Sequence, residues 1–173
     1  MAYVTDFSKK PLPNLLGLIN EANNLGLTEA DVALRGLAPA TPVEGSGLSY
    51  NTSVEIDVIT NEVQDDYVAF TYTRVDVGVL FSLVVPAVRE VDVPLNESGV
   101  PADTAVLWAE IQRKYHVNFD DENFDVALVS PGVISITAKA TSVMYIGTFN
   151  LNIGSSLESR VQYTILDGFV VPA

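Results

Sequence analysis

Few residues in this chain are of types that do chemistry, and they are unevenly placed. There is one histidine and no cysteine, so thiol nucleophiles, thiolate metal sites and disulfides drop out at once. A Ser-His-Asp triad would have to use His116, in Lys114-Tyr115-His116-Val117, but no Gly-x-Ser-x-Gly elbow accompanies it. Gly45-Ser46-Gly47 reads as a flexible loop, and His116 as an exposed residue or a cap for helical carbonyls. Zinc centres draw on several His or Cys ligands, which excludes a conventional one. The densest carboxylate group is Asp120, Asp121, Glu122 and Asp125. It is the chain's calcium candidate, because calcium takes several oxygen ligands from a tight loop. The EF-hand alternation with its central glycine is missing, and acidic residues also suit the positive end of a helix dipole. A turn or helix start is therefore the expected reading. Twenty-two acids always offer some pair for glycoside hydrolysis, yet no cleft signature selects one. The chain is expected to be no enzyme and to hold no cofactor.

The elements around these residues form a pattern that is repeated. In the first unit, Asn14 is the expected N-cap of a helix whose Leu15, Leu18, Ile19 and Ala22 share one face, with Gly26 as its stop. Thr28 and Asp31 have the spacing of a capping pair. Two strands are expected to follow, one burying Val54, Ile56 and Val58, the next Val68, Phe70 and Tyr72. In the second unit, Asp103 caps a helix carrying Leu107, Trp108, Ile111 and Tyr115 on one face. The acidic run comes next, then a strand burying Ile134, Ile136 and Ala138. Another buries Tyr145, Gly147, Phe149, Leu151 and Ile153. Asp31-Val32-Ala33-Leu34 recurs as Asp125-Val126-Ala127-Leu128, 94 positions on, and Tyr67-Val68-Ala69 is matched with Tyr145-Ile146-Gly147. Thirty-two residues separate these landmarks in the first unit and 16 in the second, so the first carries an insertion, placed at residues 37–49.

The resulting division is a first helix-plus-strands unit over residues 1–93, a Pro/Gly-bearing linker at 94–102, and a second unit over 103–173. The apolar stretch 79–93 fits a short helix followed by a strand, or a continuation of the strand at Tyr67. Val161, Tyr163 and Ile165 alternate as a last strand before the apolar Phe169-Val170-Val171-Pro172-Ala173. Phe169, Val170 and Val171 are the candidate assembly residues, against the chain's own core or a neighbour. The fold class expected is α+β, a mainly antiparallel sheet or sandwich with short packed helices.

Composition narrows the partners. With 22 acidic and nine basic residues the 173-residue chain carries a net charge of −13. Such a field repels nucleic acid, which needs clustered Lys and Arg. The charge suits solubility at high concentration, a conduit that DNA must pass without sticking, or a basic partner. No apolar run reaches the roughly 18 residues that a membrane helix needs, and the first residues lack a signal-peptide pattern. The sequons at Asn51 and Asn96 carry little weight without one. Most aromatics fall on faces that core packing explains.

The stretch Leu15 to Asn24 with Leu27-Thr28-Glu29-Ala30-Asp31-Val32, then Tyr72-Thr73-Arg74-Val75-Asp76-Val77, resembles virion structural proteins of large tailed bacteriophages. So does Leu107 to Tyr115 with Val133 to Ala140 and Tyr145-Ile146-Gly147. The resemblance implies a non-enzymatic component of the particle, assembled in the host cytoplasm. Its partners would be copies of itself and other virion proteins, with no direct nucleic-acid or membrane binding. A many-copy capsid-decoration subunit is the first expectation. The alternatives are a tail-tube subunit with an acidic lumen and a carbohydrate-binding module of an attachment apparatus.

Overall fold

The computed structural model describes residues 3–45, 47, 49–59, 67–84 and 90–154. Among the described residues, three α-helices and nine strands form an α+β fold with mostly antiparallel sheets. The first sheet is a meander of β1 (Val32–Pro39), β2 (Thr52–Val58) and β3 (Tyr67–Tyr72), and α1 (Pro11–Asn23) packs on it. The chain then forms β4 (Val75–Asp76), α2 (Val77–Val84) and β5 (Glu90–Asp92), so the apolar stretch after residue 79 is helix followed by strand. Next come α3 (Thr104–Tyr115), β6 (Phe124–Ser130), β7 (Val133–Ala138), β8 (Tyr145–Ile146) and β9 (Thr148–Gly154). The second sheet has the order β5-β9-β7-β6, with β5 parallel to β9 and the other pairs antiparallel. A short parallel pair, β4 with β8, links the two halves.

Helix starts follow local chemistry, with one correction. Asp103 caps α3, its carboxylate accepting from the Ala105 N–H at 2.8 Å. Asn14 does not cap α1. Pro11 and Pro13 supply fixed φ and need no N–H bond in the first turn, so the helix begins earlier, with Lys10 as its extended N-cap. Asn14 is instead buried in that turn. Its Oδ1 accepts from the Tyr3 hydroxyl and the Asp6 N–H, both at 3.0 Å, and its Nδ2 donates to the Asp6 carbonyl at 2.9 Å. The stop is Asn24 rather than Gly26. Asn tolerates the left-handed conformation that Asn24 adopts at φ 54°. The Thr28–Asp31 pair forms as expected, with the Asp31 carboxylate accepting from the Thr28 hydroxyl at 2.6 Å and its N–H at 2.8 Å. The hydroxyl first, then the N–H, hold the Asp31 carboxyl below its usual range.

Two cores result. Leu15, Leu16 and Ile19 of α1 bury Val32, Val54 and Ile56 of the first sheet, with Val143 closing the cluster. The second core is aromatic. Trp108 and Tyr115 of α3 meet Phe81, Phe119, Phe124, Tyr145 and Phe149. Although α2 and β5 follow the first sheet in the chain, Val77, Leu80, Phe81, Val91 and Val93 are buried in this second core.

The two β-hairpins share an irregularity. The β1–β2 register shifts between Leu34 and Gly36, and the β6–β7 register between Leu128 and Ser130. These positions are 94 apart, the spacing of the Asp-Val-Ala-Leu recurrence. Leu34 faces Ile56 as Leu128 faces Ile134. Eighteen residues separate the paired Gly36 and Glu55, against two between Ser130 and Val133, so the first hairpin holds the longer arm. The match of Tyr67 with Tyr145 does not hold in space. Val68 stands beside Ile56 and Leu151 beside Ile134, while Tyr145 lies in β8. The Tyr-x-small pattern is shared by strands with different neighbours.

Candidate functional site

The acidic run is a turn that ties α3 to β6. Asp120 Oδ1 accepts from the Asn123 N–H at 2.9 Å and its Nδ2 at 2.8 Å. Asp121 accepts from the Thr104 hydroxyl and from the Trp108 indole N–H, both at 2.9 Å. Asp125 reaches Lys139 at 3.6 Å, and Glu122 is exposed. The carboxylates therefore face different partners, and no group of three or more His, Cys, Asp or Glu among the described residues could hold a metal ion. His116 is exposed and ends α3 in a left-handed conformation, where its backbone N–H caps the Gln112 carbonyl at 2.9 Å. Beside the turn, the Tyr145 side chain is fully buried, and burial, then the nearby Asp120 charge, raise its phenol well above the ordinary range.

The polar centre of the molecule is a clamp between the two halves. Apart from Tyr72, it gathers residues that periodicity did not single out. Arg74 Nε donates to the Thr52 hydroxyl at 2.8 Å, and its Nη1 donates to the Ser142 carbonyl at 3.0 Å. Thr52 and Ser142 are both fully buried. Asn51 Oδ1 accepts the Arg74 N–H at 2.9 Å, and the Tyr72 hydroxyl donates to the Val143 carbonyl at 2.5 Å. Burial pushes the Tyr72 phenol up to about 12, opposed in part by Arg74. The clamp is a holding device. A lone arginine at the close of an apolar strand was its one sequence signal, and its partners lie 22 and 68 residues away.

The open surfaces lie at sheet edges. Leu34, Ile56 and Val68 form one row across the first sheet. Ile56 is 1% exposed, but Leu34 is 44% and Val68 51%, so this row is covered at the middle strand and open at both flanks. Between α1 and β3 runs a groove of about 470 Å³, walled by Leu18, Ala22, Phe70 and Tyr72. Leu128 and Val129 are exposed on β6, the outer strand of the second sheet. Tyr67 is an exposed aromatic, with the Arg35 guanidinium 4.6 Å from its ring centre. The expected assembly residues Phe169, Val170 and Val171 lie outside the described residues, as do Val161, Tyr163 and Ile165.

A family model matches residues 6–173. The chain belongs to DUF7941, a family of unknown function. No curated protein and no solved structure matches this DUF7941 chain. Among the described residues, structural bonds engage most of the clamp and the acidic turn, and apolar surface is open at sheet edges and along the groove beside α1.

Proposed function

We propose that the protein is a non-enzymatic structural subunit of a bacteriophage virion, present in many copies and of the capsid-decoration type. The observation that carries this reading is the half-covered first sheet. Its apolar groove and exposed edge strand form a docking face on an otherwise acidic chain of net charge −13. Soluble proteins seldom leave such edges open, since unpaired strands template association. A closed assembly uses that tendency, and a high net charge keeps the free subunit soluble at the concentrations assembly requires. The resemblance of the two helix-plus-strands stretches to phage virion proteins supplies the setting. Mass spectrometry of gradient-purified particles tests it. The chain should be present in many copies per particle, and its absence would refute a virion role. Loss of particle incorporation on deleting residues 169–173 would further support the decoration reading.

A second reading, a tail-tube subunit, is favoured by the long β1–β2 arm. Residues 40–51 extend beyond a hairpin whose counterpart turns in two residues, and such an arm suits bridging between stacked rings. Negatively charged walls would let DNA pass without adhering. The carbohydrate-binding alternative rests on Tyr67, and a glycan array read against Tyr67→Ala decides it.

A further inference from the structure

The third strand of the second unit is covered where that of the first is open. The outer edge of β9 pairs with β5, and α2 fills the space between β9 and α3. Phe81 stacks on Phe149 with ring centres 3.8 Å apart and meets Tyr115 edge-on at 5.5 Å. Both covering elements come from the segment that leaves β3. In the first unit the corresponding space, between α1 and β3, is the groove of about 470 Å³, and the outer edge of β3 has no strand partner among the described residues.

The sequence indicates what belongs there. Residues 73–87 recur as 159–173, with seven of fifteen positions identical. Arg74-Val75 returns as Arg160-Val161 and Leu80 as Leu166. Val84-Val85-Pro86-Ala87 returns as Val170-Val171-Pro172-Ala173. The described part of the earlier stretch, residues 73–84, leaves the third strand of unit one and covers unit two, and the later stretch follows the third strand of unit two in the sequence. At the Phe81 position the later copy has Asp167. The groove lining sets the polar Asn23 and Thr73 beside Tyr3, Phe70 and Tyr72.

We propose that residues 159–173 of one copy fill the groove between α1 and β3 of the next copy, as α2 fills the space between α3 and β9 within the chain. Strand direction argues for a neighbour. β3 ends at the junction of the halves, where Val75 pairs with Tyr145. β9 begins there, since the Thr148 carbonyl lies 3.1 Å from where a Gly78 Cβ would stand. It then extends for seven residues, roughly 20 Å at the strand rise. The chain thus leaves β9 at Gly154, paired with Asp92 of β5 and a strand length from the junction where β3 ends. Such a contact joins two different surfaces, so copies add head to tail, in a ring if the rotation closes and a filament if it does not. The proposal concerns self-assembly and stands whether or not the polymer belongs to a virion.

A mixing experiment tests it. Ala22→Arg blocks the groove at an exposed side chain, and Val170→Asp spoils the inserted segment. By sedimentation velocity the unaltered chain should form large assemblies and each variant alone should be monomeric. An equal mixture should form a dimer that grows no further, because one blocked copy offers an intact segment and the other an intact groove. A monomeric unaltered chain, or a mixture that stays monomeric, overturns the proposal. The second result is also what insertion within one chain would give. A labelled peptide of residues 159–173 added to the Val170→Asp chain is an independent readout. Saturable binding that Ala22→Arg abolishes supports the proposal, and no binding overturns it.

Discussion

Gly147 sits where the two halves meet, and replacing it with alanine puts the account of that junction at risk. Its φ is +86°, and an added Cβ would stand 2.7 Å from Asp76 Oδ1. That oxygen accepts from the N–H groups of Gly78 and Val79 at 2.8 and 3.3 Å and so caps α2. Two penalties should therefore combine. Left-handed backbone costs a residue with a Cβ about 1–2 kcal/mol. Displacing the Asp76 carboxylate forfeits an N-cap worth about 1 kcal/mol. Gly147→Ala should lose roughly 2–3 kcal/mol in urea unfolding, a large share of the total of about 5–15 kcal/mol usual for a domain. The sole tryptophan, Trp108, reports the second core by fluorescence, and circular dichroism reports the whole chain. Gly26→Ala is the control. A Cβ there meets nothing within 4 Å and the backbone is not left-handed, so that variant should be neutral or gain up to about 1 kcal/mol. In an Asp76→Ala background Gly147→Ala should cost only its backbone part, leaving a coupling of about 1 kcal/mol. Wild-type stability for Gly147→Ala, or an undiminished cost without Asp76, would refute the reasoning.

Arg74→Ala should destabilise the chain by about 2–3 kcal/mol in the same assay, since it removes charge-assisted bonds and strands the buried Ser142 carbonyl. Stability should fall as pH rises from about 10 to about 12. The Tyr72 phenol has its folded pKa raised, so its contribution is complete below the unfolded value near 10 and lost on passing the folded one. Tyr72→Phe should make that decline shallower in pH-dependent melting, the buried Tyr145 phenol supplying the remainder. Asp121→Ala should cost about 1–3 kcal/mol and shift the Trp108 emission, because the indole N–H loses its acceptor. Calcium should leave the melting temperature of the unaltered chain unchanged, since Asp120 is engaged by Asn123, Asp121 by Thr104 and Trp108, and Asp125 by Lys139.

Periodicity made much of the fold legible. Leu107, Trp108, Ile111 and Tyr115 are all buried on one face of α3, and Ile134, Ile136, Phe149, Leu151 and Ile153 all point into the second core. These signals are local, because a repeat of two or of three to four residues needs no knowledge of the rest of the chain. Asn14 misled for the opposite reason. Its side chain suits a cap, but the prolines around it start the helix first and it is left to tie down the segment from Tyr3 to Asp6. The groove was not legible either. Leu18 and Ala22 read as core face, and only the placement of β3 at the sheet edge leaves them uncovered. The clamp joins Arg74 to Ser142, and no periodic pattern reports a bond across that separation.

Assembly of this chain is proposed to run through a covered-strand contact between copies. Sedimentation velocity of the purified full chain, with negative-stain microscopy of the same sample and of a chain lacking residues 159–173, tests it most directly. The full chain should form rings or filaments and the shortened one folded monomers. A full chain that remains monomeric at every concentration, or a shortened chain that assembles equally well, would contradict it.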